Sequence, residues 1–248
     1  MRVARVVTRL VLTAHGSADP RSAANARAVA ELVTRMRPGL EVRLAFLDHS
    51  SPSLADSLGG LSGSDEAVVT PLLLANAYHA RIDISRQIAE YAAPERVWQA
   101  PVLGEDDRLV SVLRRRVAEL GVSRLDDTVG VLVAAIGSSN PAANARTARV
   151  APKLLARTGW AGATIAFATR PERSLADGLG RLRRQGARRV VIAPWFLAPG
   201  LLPDRVRAFA GGAGIEMAAP LGAHRLVAET VLDRFDQALE SRAARIAA

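Results

Sequence analysis

An ordered internal repeat constrains this chain more than any other feature. "VLTAHGSADP" at Val11–Pro20 returns as "VLVAAIGSSNP" at Val131–Pro141, so that Gly16 and Gly137 stand 121 residues apart. "AANAR" occurs at Ala23 and again at Ala142, and "SLAD" at Ser53 and again at Ser174. "TPLLLA" at Thr70–Ala75 faces "APWFLA" at Ala193–Ala198, and "APVLGEDDRLV" at Ala100–Val110 faces "APLGAHRLV" at Ala219–Val227. Five segments in one order at nearly one offset imply a duplicated domain of about 120 residues, a period too long for a solenoid.

Each copy alternates short apolar runs with longer amphipathic ones. Leu10–Ala14, Val42–Leu47, Ala67–Leu74 and Arg96–Gln99 read as strands. Ala23–Met36, Arg81–Tyr91 and Arg108–Leu120 read as helices between and after them. The second copy offers Thr128–Ala135, Thr164–Ala168, Arg189–Phe196 and Ile215–Ala218 as strands. This alternation implies βαβ units, and hence an α/β fold of two tandem domains, each a small parallel four-stranded sheet flanked by helices. The expected boundaries are residues 1–123 and 128–248, with the polar stretch Arg124–Asp127 as linker.

Composition narrows the function classes. The chain has 248 residues, 49% of them hydrophobic, which supplies two cores. With no cysteine, disulfides and thiolate metal sites are excluded, so a transition metal must use His, Asp, Glu or water. No apolar run approaches the roughly 18 residues of a membrane span. The opening "MRVARVVTRLVLTAHG" has arginines inside its apolar residues and lacks a signal-peptide core, so a cytoplasmic protein without a membrane anchor is expected. The net charge of +9 is carried by scattered arginines, with Lys153 the only lysine. Its densest run, "LRRRVAEL", is expected to be a solvated helix face, and aromatics are only 4%, so no nucleic-acid partner is expected.

In open parallel sheets, ligands bind beyond the carboxyl ends of the strands. His15 directly follows the first strand, Asp48 and His49 follow the second, and His79 comes shortly after the third. With strand order 2-1-3-4, His15 and His79 sit on neighbouring strands roughly 4.8 Å apart, and Asp48 approaches from the other side. The ordinary reading of any one such histidine is a hydrogen-bonded turn residue, and Asp48 also suits the cap of a helix starting near Pro52. Spacing favours Asp48 over His49 as a ligand. His224 precedes a helix and is expected to cap or pack there. The repeat acts as a control: Ile136, Thr169 and Leu202 occupy the matching places in the second copy. A histidine needed only for folding would serve both copies, so His15 is expected to serve a single site.

At these residues the sequence resembles the sirohydrochlorin chelatases in their long two-domain form. The resemblance is carried by "LTAHGSADPRS", "AFLDHSSPSL", "PLLLANAYHARIDI" and "VVIAPWFLAPGLLPDRV". It implies the class II chelatase fold with an active site in the inter-domain cleft. It also implies insertion of Co²⁺ or Fe²⁺ into sirohydrochlorin, on the way to cobalamin or sirohaem. The family's two catalytic, metal-binding histidines carry over to His15 and His79. Its acidic residue, usually glutamate, falls on Asp48, one methylene shorter. The metal is then a substrate, and no resident cofactor is expected. Arg21 and Arg81, beside the two histidine motifs, are candidates for binding the carboxylates of sirohydrochlorin through forked hydrogen bonds. The alternative is a non-catalytic metal or tetrapyrrole carrier on the same fold. A phosphate-binding reading of "HGSADP" finds neither G-x-G-x-x-G nor Walker A support.

Overall fold

Strand β1 (Thr8–Ala14) is buried along most of its length, and its neighbours on both sides run parallel to it. The structure, a computed structural model, describes residues 8–61, 64–75, 78–91, 93–169 and 171–246; the side chains of 78–81, 171, 172 and 246 lie outside that description. After β1 come α1 (Pro20–Met36), β2 (Val42–Phe46), α2 (Leu54–Gly59), β3 (Glu66–Pro71), α3 (Tyr78–Ala89), a 3-10 turn and β4 (Val97–Gln99). The strands form one parallel sheet of order β2-β1-β3-β4, the order expected from sequence. Alternation along β1 sends Val11 to the face that holds Ala45, Leu54, Leu58, Val69 and Ile84. Helix α1 buries Ala23, Ala26, Val29 and Val33, a stripe at helical spacing that packs as one face.

Element ends differ from the sequence expectation where local chemistry intervenes. Helix α1 starts at Pro20 rather than Ala23 because Asp19 caps it and Pro20 needs no amide partner in the first turn. Strand β3 stops at Pro71 rather than Leu74, since proline has no N–H to donate; past it the Leu72 amide reaches Thr13 O at 2.8 Å and Leu73 O accepts the Leu103 amide at 3.0 Å. Helix α2 begins at Leu54, two residues past the start near Pro52 considered from sequence, and its six residues carry too little periodicity to bound it. Its signal was the capping box, in which Ser53 and Asp56 bond each other's backbone amides.

The second copy runs β5 (Val129–Ala135), α5 (Pro141–Ala148), α6 (Val150–Leu155), β6 (Gly162–Phe167), α7 (Pro171–Arg184), β7 (Arg189–Trp195), α8 (Leu201–Gly212) and β8 (Glu216–Met217). Its parallel sheet has order β6-β5-β7-β8, the same winding as the first. Leu132, Ala134, Leu175, Ile192, Phe196 and Val206 belong to the core on one face.

The compact units do not follow the repeat. One comprises residues 1–104 with 227–248, the other 105–226, where the sequence suggested 1–123 and 128–248. Helix α4 (Asp107–Ala118) therefore belongs with the second sheet, packing on β7 and α6. Most of the last helix, α9 (Arg225–Ile246), belongs with the first. There Arg37 forks onto Asp236 at 2.6 and 2.7 Å, and Arg234 donates to the Val102 and Leu103 carbonyls. The stretch Arg124–Asp127 lies inside the second unit, not between units: Gly159 N–H bonds Arg124 O at 2.7 Å, and the Asp126 carboxylate accepts from Thr128.

The arginine run of α4 is not the solvated face expected of it. Arg114 donates to the carbonyls of Lys153, Leu154 and Ala156, the unsatisfied end of α6, and Arg116 donates to Leu221 O. These cations tie α4 into the second unit, so part of the basic charge is structural.

Candidate functional site

The end of β1 places His15. The parallel ladder with β2 continues beyond both strands, with Leu47 N–H on Ala14 O at 3.0 Å and Asp48 N–H on His15 O at 3.0 Å. Asp48 is thereby fixed beside His15 at the carboxyl edge of the sheet. The next residue, Gly16, has φ of 90°, and a Cβ there would lie 1.7 Å from Asp48 O. Only glycine admits that approach, and it does so in a backbone region other residues avoid. The loop then closes on α1: Ser17 Oγ accepts Asp19 N–H at 3.1 Å, and Asp19 Oδ1 accepts Arg21 N–H at 3.0 Å.

His15 is exposed, and its ring has no hydrogen-bond partner among the described residues. That removes the ordinary reading, a histidine held by turn hydrogen bonds. Asp48 is not the cap of α2 either, because Ser53 takes that place. Instead both Asp48 oxygens face the following residue: Oδ1 accepts His49 N–H at 2.8 Å, and Oδ2 lies 3.1 Å from His49 Nε2. His49 adopts φ of 56°, a left-handed conformation that histidine visits more readily than most residues.

His79 lies in the first turn of α3, following β3 on the other side of β1, as expected of its place in the chain. The side chains of His79 and Arg81 lie outside the described residues. Among the described residues no three His, Asp or Glu side chains gather closely enough to hold a metal ion. His15, Asp48 and His49 therefore make no closed site by themselves. Arg21 is half-exposed and forks onto Asp19, Nε on Oδ1 at 3.0 Å and Nη2 on Oδ2 at 2.5 Å. The Arg21 side chain, reinforced by its own backbone amide, holds the Asp19 carboxyl below its ordinary value. His224, as expected, serves a helix start: its Nδ1 accepts Leu226 N–H at 3.0 Å in the first turn of α9. Among the described residues no helix is long and apolar enough to cross a membrane.

Comparison with known proteins gives consistent matches. The sequence model of the CbiX family matches twice, over residues 9–120 and 130–238. The chain is 28% identical over 203 residues to a sirohydrochlorin ferrochelatase of Priestia megaterium, covering 78% of this chain and 74% of that one. It is 27% identical over 210 residues to a sirohydrochlorin cobaltochelatase of the same organism, covering 79% and 66% respectively. Among solved structures, SirB from Bacillus subtilis with Fe³⁺ superposes with a TM-score of 0.77 at 19% identity, over 94% of this chain and 95% of that one. That likeness establishes the fold.

Proposed function

The chain belongs to the CbiX family, and on that premise we propose that it is a sirohydrochlorin chelatase, a lyase that inserts Co²⁺ or Fe²⁺ into sirohydrochlorin for cobalamin or sirohaem synthesis. The observation that carries the proposal is the double family match, supported by relatives named for this reaction with either metal.

The residues suit the chemistry. Metal insertion needs groups that hold a divalent ion loosely, present it to the ring, and accept the two pyrrole N–H protons it displaces. Imidazole binds first-row divalent ions and titrates near neutral pH, so it serves both needs. His15, exposed and without a hydrogen-bond partner among the described residues, has its lone pair available for this. We assign His15 and His79 as the catalytic, metal-holding pair and Asp48 as the carboxylate of the site. The coordination sphere must stay open, because a closed four-ligand sphere retains its metal. The metal is accordingly a substrate that leaves with the product. Arg21 is the substrate-binding candidate in the first motif: it exchanges Asp19 for a carboxylate of sirohydrochlorin without changing the forked geometry. Arg81 is the candidate in the third motif.

The test is a metallation assay, following the absorption of sirohydrochlorin with Co²⁺, Fe²⁺ and Ni²⁺ in parallel. A chelatase accelerates incorporation of at least one ion above the protein-free rate. A carrier binds tetrapyrrole or metal and leaves that rate unchanged, which would overturn the proposal.

A further inference from the structure

The first sheet ends at β4, an edge strand of three residues. Val97 belongs to the core face that holds Ile84 of α3. Alternation turns Trp98 to the opposite face. There the Arg242 guanidinium of α9 lies 3.8 Å from the centre of the Trp98 ring and pairs with Glu66. Beside this edge the helices contribute small side chains, Ser85 from α3 and Ala238 and Ser241 from α9. The space they leave is a cavity of about 390 Å³, open to solvent, that also meets Pro101, Val102 and Arg245. Ala238, Ser241 and Arg245 keep the i, i+3, i+7 spacing of one helix face. All of these residues belong to the first compact unit.

The cavity is rich in donors and poor in acceptors. Among the described residues no aspartate or glutamate lines it. Arg242 has its carboxylate in Glu66, whereas Arg245 has none among the described residues: its Nε reaches the Ser241 carbonyl of its own helix at 3.3 Å. Trp98 Nε1–H is buried without an acceptor among the described residues, where buried donors are normally satisfied. Ser85 and Gln99 use each other, the Ser85 hydroxyl donating to Gln99 Oε1 at 3.3 Å. The Trp98 ring, Pro101 and Val102 supply apolar wall. The volume falls within the roughly 300–1,000 Å³ of small-molecule sites. A ligand that suits these groups brings anionic oxygens on an apolar body.

We infer that this cavity binds a small organic carboxylate, with the anionic group forked onto Arg245 and accepting from the Ser241 hydroxyl, and the apolar body against Trp98, Pro101 and Val102. The inference is independent of the metal site proposed above. Free organic acids and the carboxylate arms of a tetrapyrrole share this chemistry.

The test is titration of the full-length protein with 3-phenylpropionate and, as the uncharged counterpart, 3-phenylpropanamide. Binding is read from the indole N–H signals in proton–nitrogen NMR, with Trp98→Phe identifying the Trp98 signal. The acid should shift that signal saturably and leave those of Trp160 and Trp195 in place. The amide, and the acid with Arg245→Gln, should each bind at least about tenfold more weakly, the scale of a lost hydrogen bond to a charged group. Ser241→Leu, which fills the cavity, should weaken the acid as much or more. Ser241 and Arg245 are exposed, so both variants should otherwise keep the parent spectrum. Absence of a saturable Trp98 shift, or equal affinity for the acid in the parent and either variant, would overturn the inference. Adding sirohydrochlorin separates the two sources: displacement of the probe places a tetrapyrrole arm in the cavity, retention leaves it to a separate acid, and either result keeps the carboxylate site.

Discussion

The two sheets end in loops of the same construction and different chemistry. After β1, Ser17 Oγ accepts the Asp19 amide and Asp19 caps α1; after β5, Ser138 Oγ accepts the Asn140 amide and Asn140 caps α5. The ladder extends past the strand in both, with Leu47 N–H on Ala14 O and Ala168 N–H on Ala135 O. Yet the first edge carries His15, Asp48 and His49, whereas the second carries Ile136, 56% exposed, and Thr169. Leu201, 66% exposed, begins α8 near the same edge of the second sheet. Turn chemistry was kept because the fold requires it in each copy. The polar set was kept once, so it answers to something other than folding.

The largest effect expected concerns where the second copy begins. A fragment of residues 105–226 keeps α4, whose Leu109, Val110, Val112, Leu113 and Val117 are buried. A fragment of 128–248 loses them. At about 1.5–3 kcal/mol per buried aliphatic side chain, the loss is about 7–15 kcal/mol, comparable with the whole stability of a domain. The first fragment should melt cooperatively by circular dichroism and the second should not. Equal folding of both would restore the repeat boundary.

Next comes the contrast between the edges themselves. His15→Ala should slow metallation by roughly 10²–10⁴-fold, the scale of a lost general base, with the melting temperature nearly unchanged. Ile136→Ala, at an exposed position, should stay within about 0.5 kcal/mol in stability, and the metallation assay should separate it clearly from His15→Ala. Similar slowing by both would mean that the two edges are not chemically distinct.

The glycines sharpen the same comparison through the backbone. A methyl at residue 16 meets the Asp48 carbonyl at 1.7 Å with φ at 90°; at residue 137 it meets the Thr169 hydroxyl at 2.6 Å. A backbone oxygen cannot rotate aside and a threonine side chain can. Gly16→Ala should therefore cost more than the roughly 1–2 kcal/mol of a left-handed residue alone, and should weaken Co²⁺ binding as Asp48 is displaced. Gly137→Ala should cost less in denaturant titration. The reverse ranking would contradict the close approach at Gly16.

The smallest effect separates the two caps. Asp19 has its pKa lowered in the folded chain, by the Arg21 side chain first and the Arg21 amide second. Its contribution is therefore fully present above the unfolded value of about 3.9 and is lost as pH falls through the lower folded value. Asn140 does not titrate. Stability measured between pH 5 and 2.5 should fall less steeply in Asp19→Asn than in the parent. An unchanged pH slope would show that the Arg21 fork does not persist in solution.

Much of the fold was legible because its signals are local. Alternating apolar runs and a repeat with a steady offset gave eight strands and two matching sheets from the residues alone. The same reading brought His15, Asp48 and His79 to one sheet edge, since a residue that follows a strand needs no tertiary information to be placed there. The resemblance of three motifs supplied the chemistry. Contacts distant in the chain decided the rest. Nothing near Arg114 announces that its guanidinium will close the carbonyl end of α6, 40 residues away, and so carry α4 into the second unit. Nothing in "LDHSS" states that His49 will turn left-handed and give its amide to Asp48 Oδ1. Burial and backbone geometry settle such partners, because a cation finds the unsatisfied carbonyls and a carboxylate finds the donors that the folded chain brings within reach.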